Sequence, residues 1–241
     1  GSEVNPDGRK FSYGGQKEKR KKIYRRFASP RYIEVLQSLQ KQNLLPCIHF
    51  VFSRAGCDEA RDRILKSGIS LNNQAEQGAV DDLLDEYLES SDDSDLEVLG
   101  VEHWREGLRR GVASHHAGLI PRFKEITEEL FRRGLLKVVY ATETLALGVN
   151  LPARSVVIDK MTKFNGHTHE LLTPSQFTQI TGRAGRRGLD KEGHGVVLWS
   201  PFVHFKEVAE LALNKTFYLQ SACRPTYNMV ANLMRTRSRS E

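Results

Sequence analysis

Three side chains suited to phosphate chemistry, Gln179, Arg183 and Arg186, lie in the stretch QITGRAGRRG (residues 179–188). A guanidinium presents a planar fork of N–H donors that matches a phosphate in two hydrogen bonds, and glycine permits positive φ and close backbone approach. Thr173 and Pro174 start a helix. The arginine stretch reads as its far end, where Arg183 and Arg186, three residues apart, share a face and converge on one phosphate chain. A solvated Arg/Gly loop would leave the same trace. The chain contains no GxxxxGK[ST] and no Asp-Glu pair after an apolar strand, so nothing in it cradles β and γ phosphates with magnesium. The arginines are expected to reach for a nucleotide bound elsewhere.

Three further stretches carry hydroxyls, imidazoles or amides at turns. In FVFSRAGCDEA (residues 50–60) a strand runs into a helix, with Ser53 and Arg54 at the junction, either as an anion site or as plain N-capping by Ser53. GVASHHAGLIP (residues 111–121) pairs His115 with His116. Neighbours on extended chain point to opposite sides and no third ligand stands at a metal spacing, so no metal is expected. The alternatives are a turn offering His115, His116 and the Gly118 amide to a ligand backbone, and a structural turn with His116 bonded in the core. In VVYATETLALGVNLPA (residues 138–153) a buried strand ends at Thr142. Thr142 and Thr144 suit a nucleic-acid phosphate, and Asn150, after the glycine Gly148, suits a ribose or the next motif, although a capped helix with one buried face would read alike.

These stretches need a frame. Short apolar runs at residues 47–52, 135–141, 155–159 and 195–200 alternate with amphipathic stretches, the pattern of a parallel sheet covered by helices. In such sheets phosphate sites lie where strand carboxyl ends turn into helices, and all four motifs are expected there. Helix starts are read at Ser29-Pro30, at Ser53 and at Pro121, the last closed by Gly134. The net charge of +6 hides an asymmetry: eleven Asp and Glu and no Lys or Arg lie between Glu76 and Glu102, leaving 19 acidic against 36 basic residues elsewhere. A basic body suits a polyanionic partner, though an ordinary charged surface would read the same. The acidic block, residues 74–110, is expected to be a helical insertion with Leu83, Leu84, Tyr87 and Leu88 on one apolar face, lying away from any phosphate backbone. No apolar run approaches the roughly 18 residues of a membrane span. The three cysteines have no CxxC or metal spacing, which favours a reducing compartment, hence the cytoplasm. Residues 1–28 read as a basic arm behind an expression scar at Gly1-Ser2.

In order and spacing, the four motifs resemble the second RecA-like domain of Superkiller-like DExH-box RNA helicases, in particular the actinobacterial HelY-type branch. LGVEHWREGLRRGVASHHAG (residues 99–118), KFNGHTH (163–169) and RPTYNMVANLM (224–234) add to the likeness, which covers residues from about 30 to 235. The resemblance implies an α/β RecA-like domain over 29–213 and a truncated start of a winged-helix region over 214–241. It implies that ATP and Mg2+ are held mainly by a first RecA-like domain. Arg186 would be the arginine finger, with Arg183 and Gln179 beside it and Gly148 and Asn150 bordering the nucleotide. Ser53, Arg54, His116, Gly118, Thr142 and Thr144 would track single-stranded RNA, with DNA as an alternative. Partners in RNA degradation or at the ribosome are left open, as is a non-catalytic binding module on the same fold.

Overall fold

A computed structural model of the chain describes residues 30–88, 101–148, 151–164, 168–200, 205–213 and 227. The expected arm (1–28), nearly all of the expected winged-helix start (214–241) and Asn150 lie outside the described residues.

In chain order the elements are α1 (Tyr32–Lys41), β1 (Cys47–Phe50), α2 (Arg54–Lys66), α3 (Gln74–Leu88), α4 (Val101–Arg109), β2 (Val112–His115), α5 (Pro121–Arg132) and β3 (Val138–Ala141). They continue with α6 (Thr144–Gly148), β4 (Ser155–Ile158), β5 (Thr162–Phe164), β6 (His169–Leu171), α7 (Pro174–Thr181), β7 (His194–Val197) and α8 (Phe205–Leu213). Five strands form one parallel sheet in the order β2-β3-β1-β4-β7, and β5 and β6 form a separate antiparallel hairpin. Helices cover both faces, as expected of a RecA-like domain. Ile48 and Phe50 of β1 join one apolar cluster with residues of α3 to α7, while Cys47 joins the cluster of α1 and α2 on the other face. The period-two alternation of a strand produces this division.

Local chemistry explains most boundaries. The Ser53 hydroxyl accepts from Gly56 N at 3.2 Å and opens α2. Pro121 starts α5, which closes before Gly134 at φ +74°. The first helix starts later than Ser29-Pro30 suggests: Glu34 accepts from the Arg31 backbone N and Nε, so Tyr32 is the first helical residue. Strand β2 was not among the expected strands, because Ser114 and His115 interrupt its apolar character. Pairing with β3 nonetheless buries it.

The acidic block is helical, but it is no appendage. Val80, Leu83 and Leu84 of α3 and Trp104 and Leu108 of α4 are buried in the main core, and Trp104 stacks on Phe123 of α5 at 4.1 Å between ring centroids. The last turn of α3 reaches α5, where the Arg122 guanidinium donates to the Tyr87 carbonyl. That contact lies at the carboxyl side of β2. The more acidic segment, 89–100, lies outside the described residues.

These contacts make α3 a wall of the core. Leu84→Ala should cost roughly 2–5 kcal/mol, the range for a fully buried Leu truncation, and removal of residues 74–110 should abolish cooperative unfolding. Urea denaturation followed by circular dichroism checks both; an unchanged midpoint for Leu84→Ala would contradict the packing.

Candidate functional site

Parallel pairing sets Phe50 opposite Ala141 and Ile158, and Ala141 opposite His115, so three of the motif strands end at one edge. Just beyond lie Ser53 and Arg54, His116 and Gly118, and Thr142 and Thr144. Thr142 N donates to His115 O at 3.2 Å, and the Thr142 and Thr144 hydroxyls share a hydrogen bond of 3.0 Å. A Cβ added to Gly118 would stand 3.5 Å from Arg54 Cδ, so the two turns are in contact. Ser53, Arg54, Gly118 and Thr144 are exposed.

The histidine turn is fixed from below. His116 is buried, its Nδ1 accepts from Gly118 N at 3.2 Å, and its Nε2 therefore carries the proton it shares with Asp58 Oδ2 at 3.1 Å. Asp58 also accepts from the Ser114 hydroxyl at 2.7 Å and lies 3.2 Å from Arg61 Nη1, which in turn donates to Ser114 Oγ. Of the two readings left open for His116, the buried hydrogen-bonded turn is the one observed, and only the Gly118 end faces outward. His115 points elsewhere: its Nε2 lies 2.8 Å from Glu128 Oε1, and burial pushes its pKa below the usual imidazole range although Glu128 pulls it upward. Burial pushes the thiols of Cys47 and Cys57 up to about 12, so neither is a thiolate nucleophile.

The arginine motif occupies the opposite edge. Helix α7 stops at Thr181 with Gly182 as its cap, so Arg183 and Arg186 lie in the following loop and share no helical face. Ala184 bridges Ala153, which precedes β4, and the loop leads into the first residue of β7. The expectation that all four motifs sit at strand carboxyl ends therefore fails for this one, because α7 runs antiparallel to the sheet and delivers the loop to the amino ends. Its glycines permit backbone contact: Gly185 has φ +92°, and a Cβ on Gly193 would fall 2.4 Å from the Ala184 carbonyl.

Each arginine has its own partner. The Arg183 guanidinium donates to the Ala146 carbonyl of α6 and its own carbonyl accepts from Ala153 N at 2.9 Å. Arg186 binds Asp190 through Nε (2.8 Å) and Nη2 (2.9 Å), and its backbone N donates to the same carboxylate at 3.0 Å. The guanidinium holds the Asp190 carboxyl down at about 2 and is itself raised in return. Gln179 is exposed on the last turns of α7, and Arg187 is exposed beside Arg186. A pocket of about 480 Å³ opens here, lined by Arg154, Arg186, Asp190, Lys191 and His194 among others. Asp58 and Asp190 were missed in the sequence. Asp190 stands four residues after Arg186, a pairing distance that could have revealed it, whereas no local signal marks Asp58.

Residues 87–188 match the family model described as the helicase conserved C-terminal domain. The chain is 51% identical over 208 residues to the probable helicase HelY of Mycobacterium tuberculosis, covering 86% of this chain and 23% of that protein. It is 41% identical to the human Superkiller complex protein 2 (85% and 16%) and 37% identical to the DExH-box ATP-dependent RNA helicase DExH11 of Arabidopsis thaliana (94% and 17%). This is a RecA-like helicase C-terminal domain of the Superkiller-like kind. The helicase domain thus spans less than a quarter of the length of these curated relatives.

Two outcomes follow for the helicase domain. Asp58→Ala strips buried His116, Ser114 and Arg61 of their shared acceptor and should lower stability by roughly 1–3 kcal/mol, read by urea denaturation. Asp190 stabilises the fold as an anion, since its folded pKa is about 2 against 3.8 ordinarily. Its contribution is complete above about pH 4 and is lost as pH falls toward 2. Thermal melts from pH 5 to pH 2 should therefore show a steeper loss for the wild type than for Asp190→Asn; parallel curves would contradict the pairing.

Proposed function

We propose that this chain is the second RecA-like half of an ATP-dependent RNA helicase, supplying the arginine finger and part of the single-strand track. The observation that carries the reading is the division of the candidate residues between the two edges of one sheet, with α6 running between them. A translocating motor needs such a division: a face that holds a strand, a face that meets nucleotide, and a stiff element joining them. Arg54 and the Thr142 hydroxyl, beside the exposed Gly118 turn, offer backbone contacts without reading bases, which suits movement along any sequence.

The residues of the arginine stretch fit one side of a nucleotide and no more. Arg186 keeps part of its guanidinium exposed beside a pocket, Gln179 is exposed on the last turn of α7, and Arg183 and Gly148 stand at the α6 junction, while no phosphate-cradling loop occurs in the 241 residues. ATP with Mg2+ would be held mainly by a first RecA-like domain and would supply the phosphoryl group whose transfer drives the motor. Arg186 places positive charge where negative charge accumulates during that transfer. RNA as the strand follows the names of two relatives, both DExH-box ATP-dependent RNA helicases. A cytoplasmic setting belongs to the same reading.

Steady-state ATPase assays test it. The chain alone should hydrolyse ATP no faster than background. In the full-length protein with saturating RNA, Arg186→Ala should lower kcat on the order of 10³-fold, and Arg186→Lys should recover it only in part, since an ammonium keeps the charge and loses the fork. Binding of single-stranded RNA without nucleotide should survive both changes. Arg54→Ala should instead weaken RNA binding for all sequences and reduce the salt slope by about one. Magnesium-dependent turnover by the chain alone, or a normal kcat in Arg186→Ala, would overturn the proposal.

A further inference from the structure

The Arg186 guanidinium is not free to sample rotamers. Asp190 grips its Nε and Nη2 edge at 2.8 and 2.9 Å, while Nη1 has no hydrogen-bond partner among the described residues. The grip is built into the backbone: Leu189 N and Asp190 N both donate to Arg186 O at 3.0 Å, and Arg186 N returns to the Asp190 carboxylate. The burial is uneven. The Asp190 side chain is 4% exposed and that of Arg186 27%, so solvent reaches the guanidinium more than the carboxylate that grips it.

We propose that Asp190 is a positioning residue for Arg186: it holds one edge of the guanidinium so that the Nη1 edge is presented, in a single orientation, to a phosphate brought by the opposing domain. This rests on the reading of Arg186 as the arginine finger. A long side chain on glycine-punctuated backbone carries substantial rotamer entropy, and a partner that orders it in advance removes that cost from the reacting complex. A carboxylate beside a finger also carries a penalty, since it partly neutralises the charge offered to the phosphate. Arg154, whose Nε lies 3.8 Å from Asp190 Oδ1, adds positive charge behind the pair, and Lys191, Glu192 and His194 line the same pocket. Orientation is retained while the local balance stays positive.

The test uses the full-length protein with saturating RNA. Asp190→Asn keeps the shape but turns one acceptor oxygen into an NH2 facing Nη2; Asp190→Glu keeps the charge and adds one methylene. The Asn variant should lose on the order of 10²-fold in kcat, the size of an approximately 1 Å misplacement, with KM for ATP nearly unchanged, and Glu should recover part of the loss. In an Arg186→Ala background, Asp190→Asn should cause no further loss of kcat, because a positioning residue has nothing left to position. A second readout is independent of turnover. In the wild type the Arg186 Nε–H should give one sharp, exchange-protected 15N signal, and in Asp190→Asn it should collapse into the exposed-arginine envelope. Normal or raised kcat in Asp190→Asn alongside a dead Arg186→Ala would sink the positioning role alone. Additive losses in the double variant would do the same, assigning Asp190 to the fold. Normal kcat in Arg186→Ala would instead sink the finger assignment.

Discussion

Phe50, His115, Ala141, Ile158 and Val197 end their strands at a common level, because each parallel pair is joined in register over four residues. A one-residue slip in any pair would turn its buried side chains to the wrong face. That register brings Ser53, the histidine turn and Thr142 to one edge although they are separated by up to 89 positions in the chain, and the helices of both faces hold it by packing. Short strands suffice here since β1, β3, β4 and even the edge strand β2 are buried throughout.

Beneath the carboxyl edge, buried polar contacts replace apolar packing. Asp58 collects Ser114, His116 and Arg61 into one cluster between α2 and β2. Unsatisfied, these groups would make β2 a poor core strand; satisfied, they set where the His116-to-Gly118 turn stands. The polar residues that obscure β2 as a strand are thus the ones that orient the loop after it.

Much of this was legible in the residues. The strands β1, β3, β4 and β7 announce themselves as apolar runs, and Ser53, Thr173 and Pro121 start helices where their chemistry says they should. Distance in three dimensions was not legible. Arg183 and Arg186 fit a helical face by spacing, yet Gly182 ends the helix first, and the pattern that distinguishes three more helical residues from a turn was masked by the repeated glycines. The acidic block illustrates a second limit: its charge suggested a solvated insertion, while five buried apolar residues of α3 and α4 decided where it sits. A buried stripe outweighs an acidic surface because carboxylates cost nothing where water already surrounds them.

Arg183 joins the loop after α7 to the Ala146 carbonyl, and α6 begins beside Thr142 at the far edge of the sheet. One guanidinium is therefore wired to the region expected to meet nucleotide and to the helix that starts at the region expected to hold a strand. Alleles at this position would be pleiotropic. A single lesion would loosen both ends of the sheet at once, and a suppressor restoring one end, for instance by refilling the contact under α6, need not restore the other.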